Sequence, residues 1–150
     1  MGAVYTIGYQ GVSPEHLVAV LRKNEIDEVV DVRLTARSRK RGFSKQALAE
    51  ALRKAGIRYS HCPDLGCPKA IRDAYKQTGD FEQYLRAYKA TVLSRRLRRL
   101  SQLGQWAQVR RLCLLCFEAD ATRCHRSVVA ARAASFGRSR GGFYDLVALS

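Results

Sequence analysis

The run Arg111-Leu112-Cys113-Leu114-Leu115-Cys116-Phe117 is the most apolar of the segments that have the length of a strand. A short, almost continuously apolar run is typical of a strand that is buried on both faces. Such strands belong to parallel sheets, because the crossover connections of a parallel sheet place helices over its faces. This run therefore predicts an α/β protein with a mostly parallel sheet.

Helices are predicted in the sequence that precedes this run. Ser13 is suited to cap a helix that has Pro14 at its first position, and Ser44 is suited to cap a second helix that Gly56 ends. The longest helix is predicted over residues 81–103, where apolar residues recur at helical spacing.

Four more strands are predicted, at residues 4–9, 28–34, 57–62 and 143–149. A last helix is predicted to begin near Thr122 or Cys124. Strands that alternate with helices require crossover connections, which place helices over the sheet. We therefore predict one Rossmann-like α/β domain over residues 1–150, with helices on both faces of the sheet.

Length and composition exclude several classes of protein. A chain of 150 residues is long enough to bury the core of one domain, and a hydrophobic share of 47% excludes a wholly disordered chain. No apolar stretch approaches the roughly 18 residues of a membrane-spanning helix, and no basic segment precedes the first apolar run. We expect a cytoplasmic protein with no membrane partner.

The charge balance points to a polyanionic partner. The chain has 27 Lys+Arg against 13 Asp+Glu, a formal net charge of +14, and Arg outnumbers Lys. Arginine grips phosphate with two parallel hydrogen bonds, so we predict a nucleic acid or nucleotide as partner. The alternative is a chain that is rich in Arg for genomic reasons and uses the charge only to solvate its surface.

The five cysteines are an odd number in a chain without an export signal. Free thiols are therefore expected rather than a disulfide framework.

Polar residues follow the predicted strands. In open α/β sheets, ligands bind beyond the carboxyl ends of the strands. If the strands are parallel, one edge gathers Gly8-Tyr9-Gln10-Gly11, Asp31-Val32-Arg33, His61-Cys62-Pro63-Asp64, Cys116-Phe117-Glu118 and Cys124-His125-Arg126.

Several motifs together carry a resemblance to a known family. They are Ile7-Gly8-Tyr9, Val30-Asp31-Val32-Arg33, Ser38-Arg39, Gly42-Phe43-Ser44-Lys45, Leu65-Gly66, Leu115-Cys116-Phe117-Glu118 and Cys124-His125-Arg126. This set resembles the domain-of-unknown-function 488 family from about Tyr5 to at least Arg126. The resemblance implies a Rossmann-like α/β fold, and it implies no particular reaction, so the chemistry has to be inferred from the residues.

Asp31 and Arg33 lie two residues apart on a predicted strand and therefore face the same side of the sheet. One interpretation has Arg33 holding a ligand phosphate while Asp31 orients it or acts as a base. The alternative is a structural ion pair that anchors the next loop, since a carboxylate in an apolar strand needs a partner.

The loop after this strand is basic and contains one aromatic residue. Arg37, Arg39 and Lys45 are candidates for phosphate contacts, and Phe43 is a candidate for stacking on a base. The alternative is a solvated run of charges with Phe43 buried in the core.

The late cysteines allow more than one interpretation. Cys113 and Cys116 are three residues apart on a strand and face opposite ways, which argues against a zinc pair. We therefore predict no metal. If the strand ends before Cys116, however, Cys116, Cys124 and His125 could bind one.

Cys124, His125 and Arg126 are predicted to form the first turn of a helix, where Arg126 and free N–H groups would favour an anion. The same field would make Cys124 a reactive thiolate. The alternative is that the cysteines are small buried apolar residues.

Glu118 is the leading candidate for proton transfer, with Asp31 as the second carboxylate that glycosidic hydrolysis would need. We expect an enzyme that hydrolyses a glycosidic or phosphate-linked bond in a nucleotide or nucleic acid. The alternatives are a non-catalytic nucleic-acid-binding module and a cysteine-dependent redox or thiol enzyme. The remaining candidates are Gly8 and Gly11 for close approach to phosphate, and Tyr9, Tyr59 and His61 to line the site.

Overall fold

The computed structural model describes residues 2–137 and 142–146, and the apolar run that predicts the fold lies at the centre of its sheet. This run forms β4 (Arg111–Cys116), which is flanked by β1 (Ala3–Gly8) and β2 (Glu28–Asp31). The two outer strands are β3 (Arg58–His61) and β5 (Tyr144–Leu146), so the order is β3-β2-β4-β1-β5. All four strand pairs are parallel, which confirms the predicted α/β fold.

One face of the sheet is covered by α1 (Pro14–Lys23) and α2 (Lys45–Lys54). As predicted, the Ser13 hydroxyl caps α1 by accepting a hydrogen bond from the His16 N–H at 3.1 Å, and Gly56 follows α2 with a φ of +77°. The apolar stripes of the two helices pack on the strand side chains of this face. The helices contribute Leu17, Leu21, Leu48 and Leu52, and the strands contribute Ile7, Val29, Cys113 and Leu115.

The opposite face is covered by α4 (Phe81–Thr91), α5 (Leu97–Trp106) and α6 (Arg126–Ser135), with α3 (Lys69–Thr78) packed beside α4. Strand residues of the other parity meet these helices, because successive side chains of a strand alternate between faces. The cluster includes Val30, Leu112, Leu114, Cys116, Tyr88, Leu100, Leu103 and Val129. The predicted helices on both faces are therefore present.

The single long helix predicted over residues 81–103 is wrong. The chain forms two helices, α4 and α5, separated by a short 3₁₀ turn at Leu93–Arg95. The two helices pack on different neighbours, α4 on α3 and α5 on α6. In one straight helix, the apolar stripes of α4 and α5 would have a single common direction. Because the helix is broken, the stripe of α4 can face α3 and the stripe of α5 can face α6.

The predicted start of the last helix is also corrected. Ala121–Arg123 forms a separate 3₁₀ turn that Asp120 caps, Cys124 is extended, and α6 begins only at Arg126. The helix α3 was not predicted, and its residues are mostly exposed. Of the predicted strand at residues 143–149, Tyr144–Leu146 is strand and positions 147–149 lie outside the described residues.

None of the described helices is long and apolar enough to span a membrane.

Candidate functional site at the carboxyl edge of the sheet

The parallel register brings the ends of the strands together at one edge. Gly8 lies beside Cys116, and Asp31 lies between Leu115 and His61. The backbone continues this pairing beyond the strands, because the Tyr9 N–H donates to the Cys116 carbonyl at 3.2 Å. Residues that the sequence predicts for one site therefore do meet at one edge, although they divide between the two faces of the sheet.

Asp31 and Arg33 form a buried and fully bonded ion pair on the α1–α2 face. The Asp31 side chain has no exposed surface, and its Oδ2 accepts from Arg33 Nη2 at 2.7 Å. Its Oδ1 accepts from Arg33 Nε at 2.8 Å, and Oδ2 also accepts from the Tyr59 hydroxyl at 2.6 Å. Burial by itself would lower the pKa of Arg33, but the Asp31 carboxylate raises it. The Arg33 guanidinium and the Asp31 carboxylate therefore form a buried ion pair.

Arg33 also fixes the basic loop that follows it. Its Nη1 donates to the Phe43 carbonyl at 2.7 Å and to the Tyr9 hydroxyl at 3.1 Å. The Phe43 ring stacks on Tyr9 with centroids 4.5 Å apart, and both rings are buried. These two aromatic rings therefore hold the loop on the core instead of offering a free face to a base.

The basic side chains of this loop point outward. Arg37, Arg39 and Lys45 are exposed, as is Arg41, and none of the four has an ion-pair partner among the described residues. The Ser44 hydroxyl does not cap α2. It accepts instead from the Ser38 N–H at 3.1 Å, which ties the two ends of the loop together.

The loop also needs a glycine at one point. Gly42 has a φ of +91°, and a Cβ there would lie 2.5 Å from the Pro14 side chain. Gly11 has a φ of +75° and is exposed in the turn before α1.

Arg126 is buried completely and holds the backbone around Glu118. Its Nη1 donates to the Glu118 carbonyl, and its Nη2 lies 3.2 Å from an oxygen of Asp145. Gly8 packs against the same carbonyl, since a Cβ at Gly8 would lie 1.8 Å from the Glu118 oxygen. Arg126 thus binds the main chain of Glu118 and leaves its carboxylate free of an ion pair among the described residues.

The Glu118 side chain is half-buried at the end of β4, on the face opposite Asp31. Its Oε2 lies 3.5 Å from the Cys116 Sγ. His61, by contrast, is occupied, because its Nε2 lies 2.8 Å from the Arg33 carbonyl.

Cys116, Cys124 and His125 converge on the α4–α6 face, and all three are buried. The His125 Nδ1 lies 4.0 Å from Cys116 Sγ and 3.9 Å from Cys124 Sγ. The His125 Nε2 lies 2.9 Å from the Val32 carbonyl, to which it can only donate. β4 includes Cys116, and Cys113 lies in the opposite core cluster, as the strand periodicity predicts.

Cys124 is not in a helix turn that would activate it. Burial raises its pKa well above the ordinary thiol value, and Cys124 precedes α6 in an extended conformation. The described cysteines are all free and buried, which confirms the expectation of free thiols.

Two features of this edge were not found from the sequence. Phe117 exposes 43% of its surface beside Tyr9, although its apolar strand suggested a core residue. Arg99 donates to Asp64 at 3.0 Å, which brings the start of α5 to the carboxyl end of β3. Phe117 is the last residue of the predicted strand, whereas β4 ends one residue earlier at Cys116, so no signal in the sequence indicated that Phe117 is exposed.

A family model described as domain of unknown function DUF488 matches residues 13–133. No curated protein and no solved structure matches the chain.

Proposed function

This chain belongs to the DUF488 family of domains of unknown function, and on that premise we propose that it binds the phosphate groups of a nucleic acid or nucleotide at the carboxyl edge of its sheet. Four exposed basic side chains of one loop carry the proposal, since none of them has an acidic partner among the described residues: Arg37, Arg39, Arg41 and Lys45. Unpaired surface cations on a chain of net charge +14 attract polyanions, and the loop that bears them is fixed on the core.

A second basic surface supports the same proposal. Arg95, Arg96 and Arg98 are exposed around a depression of about 300 Å³ whose one acidic lining residue is Asp64. Arg96 and Arg99 both bond to Asp64, which follows β3 at the same edge. A polyanion longer than one nucleotide could therefore contact both the loop and the start of α5.

Exposed Phe117 adds a stacking surface between the loop and Glu118. Its ring meets the edge of Tyr9 at 5.4 Å, and Tyr9 in turn stacks on Phe43 of the basic loop. Aromatic rings beside cationic side chains suit single-stranded nucleic acid, where bases stack while the backbone follows the charge.

The proposed chemistry is hydrolysis of a glycosidic or phosphate-linked bond, with Glu118 as the group that transfers a proton. Asp31 receives a different role in this proposal. Its carboxylate is buried and accepts from Arg33 and Tyr59, so we assign it to positioning Arg33 and, through Arg33, the basic loop. A cysteine-dependent activity is less well supported, because burial raises the pKa of Cys124, Cys62 and Cys67.

Binding is tested by fluorescence anisotropy with labelled single-stranded DNA, single-stranded RNA and duplex DNA over a range of salt concentrations. The triple variant R37A/R39A/R41A should bind about 10- to 100-fold more weakly and with a shallower salt dependence, since each lost phosphate contact lowers the slope by about 0.7–0.9. The matched control R22A/K23A/K54A removes three exposed charges at the opposite edge and should bind as the wild type does.

Equal weakening by both triple variants would contradict a defined binding surface. Glu118→Gln then separates catalysis from binding. A catalytic Glu118 predicts unchanged oligonucleotide affinity and lost turnover of any oligonucleotide that the wild type cleaves. Unchanged turnover would exclude Glu118, and full binding without cleavage by the wild type would favour the non-catalytic module.

A further inference from the structure

A cluster of two thiols and one imidazole lies beside the proposed phosphate surface and takes no part in it. Cys116 ends β4, while Cys124 and His125 directly precede α6. Their Sγ and Nδ1 atoms all lie within 4.8 Å of one another, although they come from two segments of the chain. All three side chains are buried, at 6%, 1% and 5% exposure.

We propose that Cys116, Cys124 and His125 bind one zinc ion. Two thiolates and an imidazole are a donor set that Zn²⁺ prefers, and three protein ligands are enough to hold it with one position left over. The site does not depend on the proposed function, since it uses none of the residues that would contact phosphate.

The separations of the donor atoms suit such an ion. A tetrahedral zinc with Zn–S near 2.3 Å and Zn–N near 2.0 Å sets its sulfur and nitrogen ligands about 3.6 Å apart. The observed Sγ–Nδ1 distances are 4.0 Å to Cys116 and 3.9 Å to Cys124. Tetrahedral zinc also sets two sulfur ligands about 3.8 Å apart. The two thiol sulfurs lie within 4.8 Å of each other, so rotation of the side chains has to close all three separations by about 1 Å or less.

The orientation of His125 provides independent support. Its Nε2 donates to the Val32 carbonyl at 2.9 Å, so in the neutral ring Nδ1 carries the lone pair that faces both sulfurs. Histidine ligands of metals are commonly fixed in this way, by a hydrogen bond from the second ring nitrogen to a carbonyl or carboxylate. The contact also ties β2 to the site.

The surroundings of the thiols favour a metal over free thiolates. Burial makes an isolated thiolate costly, whereas a bound cation deprotonates the thiol and neutralises its charge. Glu118 lies at the border of the cluster, 3.5 Å from Cys116 Sγ, and adds negative charge there.

The experiment measures metal in the full-length protein. Wild-type protein prepared under reducing conditions with zinc should retain one equivalent after gel filtration. Cys116→Ser and Cys124→Ser should lose it. Cys113→Ser is the matched control, because Cys113 is buried on the same strand but faces the other side of the sheet, and it should retain the full equivalent. Retention by all three variants, or loss from all three, would overturn the site.

A second measurement on the wild type does not depend on whether a variant folds. X-ray absorption at the zinc edge should count two sulfur neighbours and at least one nitrogen neighbour, and cobalt substitution should give the visible spectrum of a tetrahedral thiolate site. Four sulfur neighbours would contradict the assignment. So would a disulfide between Cys116 and Cys124, detected by mass spectrometry of freshly prepared unreduced protein.

Discussion

At the carboxyl edge of the sheet, the buried polar groups of the two faces differ in how completely they are hydrogen-bonded. On the α1–α2 face, each Asp31 carboxylate oxygen accepts two hydrogen bonds from Arg33 or Tyr59. On the α4–α6 face, the thiols of Cys116 and Cys124 make only long contacts among the described residues, to His125, to Glu118 and to each other. Buried polar groups whose bonding is complete hold the fold, whereas buried donors left without strong partners point to a ligand.

The largest expected effect comes from disrupting the network of Asp31 and Arg33, in which the hydrogen bonding is complete. Asp31→Ala leaves the buried Arg33 guanidinium without its carboxylate, and it should lower the free energy of unfolding by about 3–5 kcal/mol. Urea unfolding followed by circular dichroism measures this. Asp73→Ala is the control, because its ion pair with Lys69 is exposed and its loss should have no measurable effect. A small loss for Asp31→Ala would show that the network is not structural.

The next largest effect concerns stabilisation of the fold by zinc at the site proposed for Cys116, Cys124 and His125. Zinc at 100 times its dissociation constant should raise the free energy of unfolding by about 2.7 kcal/mol, since it binds the folded chain. Cys124→Ala should show no such increase, while Cys113→Ala should keep it. Thermal unfolding with and without zinc measures the difference. Equal stabilisation of all three proteins would place the metal elsewhere.

Removal of one hydrogen bond from the completed network should have a moderate effect. Tyr59→Phe deletes the 2.6 Å bond to Asp31 Oδ2 and leaves that oxygen with Arg33 alone. The expected loss is about 1.5 kcal/mol, the lower end for a bond to a charged group, because Tyr59 is only half-buried. Tyr75→Phe removes a 3.3 Å contact to exposed Arg123 and should change unfolding less. A larger loss of stability for Tyr75→Phe than for Tyr59→Phe would contradict the role assigned to Tyr59.

The smallest effect concerns a buried thiol that has no ligand role. Burial raises the pKa of Cys113 above its ordinary value near 8.5. The folded state then keeps a proton that the unfolded state releases, so this stability is complete below about pH 8.5 and falls as the pH rises. Between pH 8.5 and 9.5 the loss should be about 1 kcal/mol in the presence of a chelator.

Cys113→Ala should lack this part of the pH dependence. Val29→Ala opens space in the same core cluster without removing a titrating group, and it should keep the wild-type slope. Identical slopes in the two variants would show that Cys113 does not titrate on unfolding.

Elements with strong periodicity and clear caps were predictable. The apolar run of β4 placed the central strand, and Ser13 with Pro14 marked the start of α1. The prediction failed where the packing partner decides the outcome. Residues 81–103 have continuous helical spacing, but α4 and α5 divide because they pack on different helices. α3 was missed although it is amphipathic, because its apolar side is short and places only Ile71 and Tyr75 against the core.

The candidate site was predictable only as a set of residues at one edge. Local sequence indicated that Asp31 and Arg33 share a face and that Cys113 and Cys116 do not. It did not indicate that Phe43 and Tyr9 would be buried against each other, or that Arg126 would hold a carbonyl instead of a phosphate. Those outcomes depend on loops whose conformation is set by distant contacts.

The sequence by itself determined the α/β class, the parallel sheet, the family and the basic charge, because periodicity, motif spacing and composition are local properties of the chain. The tertiary structure decided which polar groups are satisfied. His125 finds its hydrogen-bond partner at Val32, 93 residues away, and its free nitrogen meets the thiols of Cys116 and Cys124. Only the folded sheet brings those atoms together, since the register of β2 against β4 places Val32 beside the end of β4.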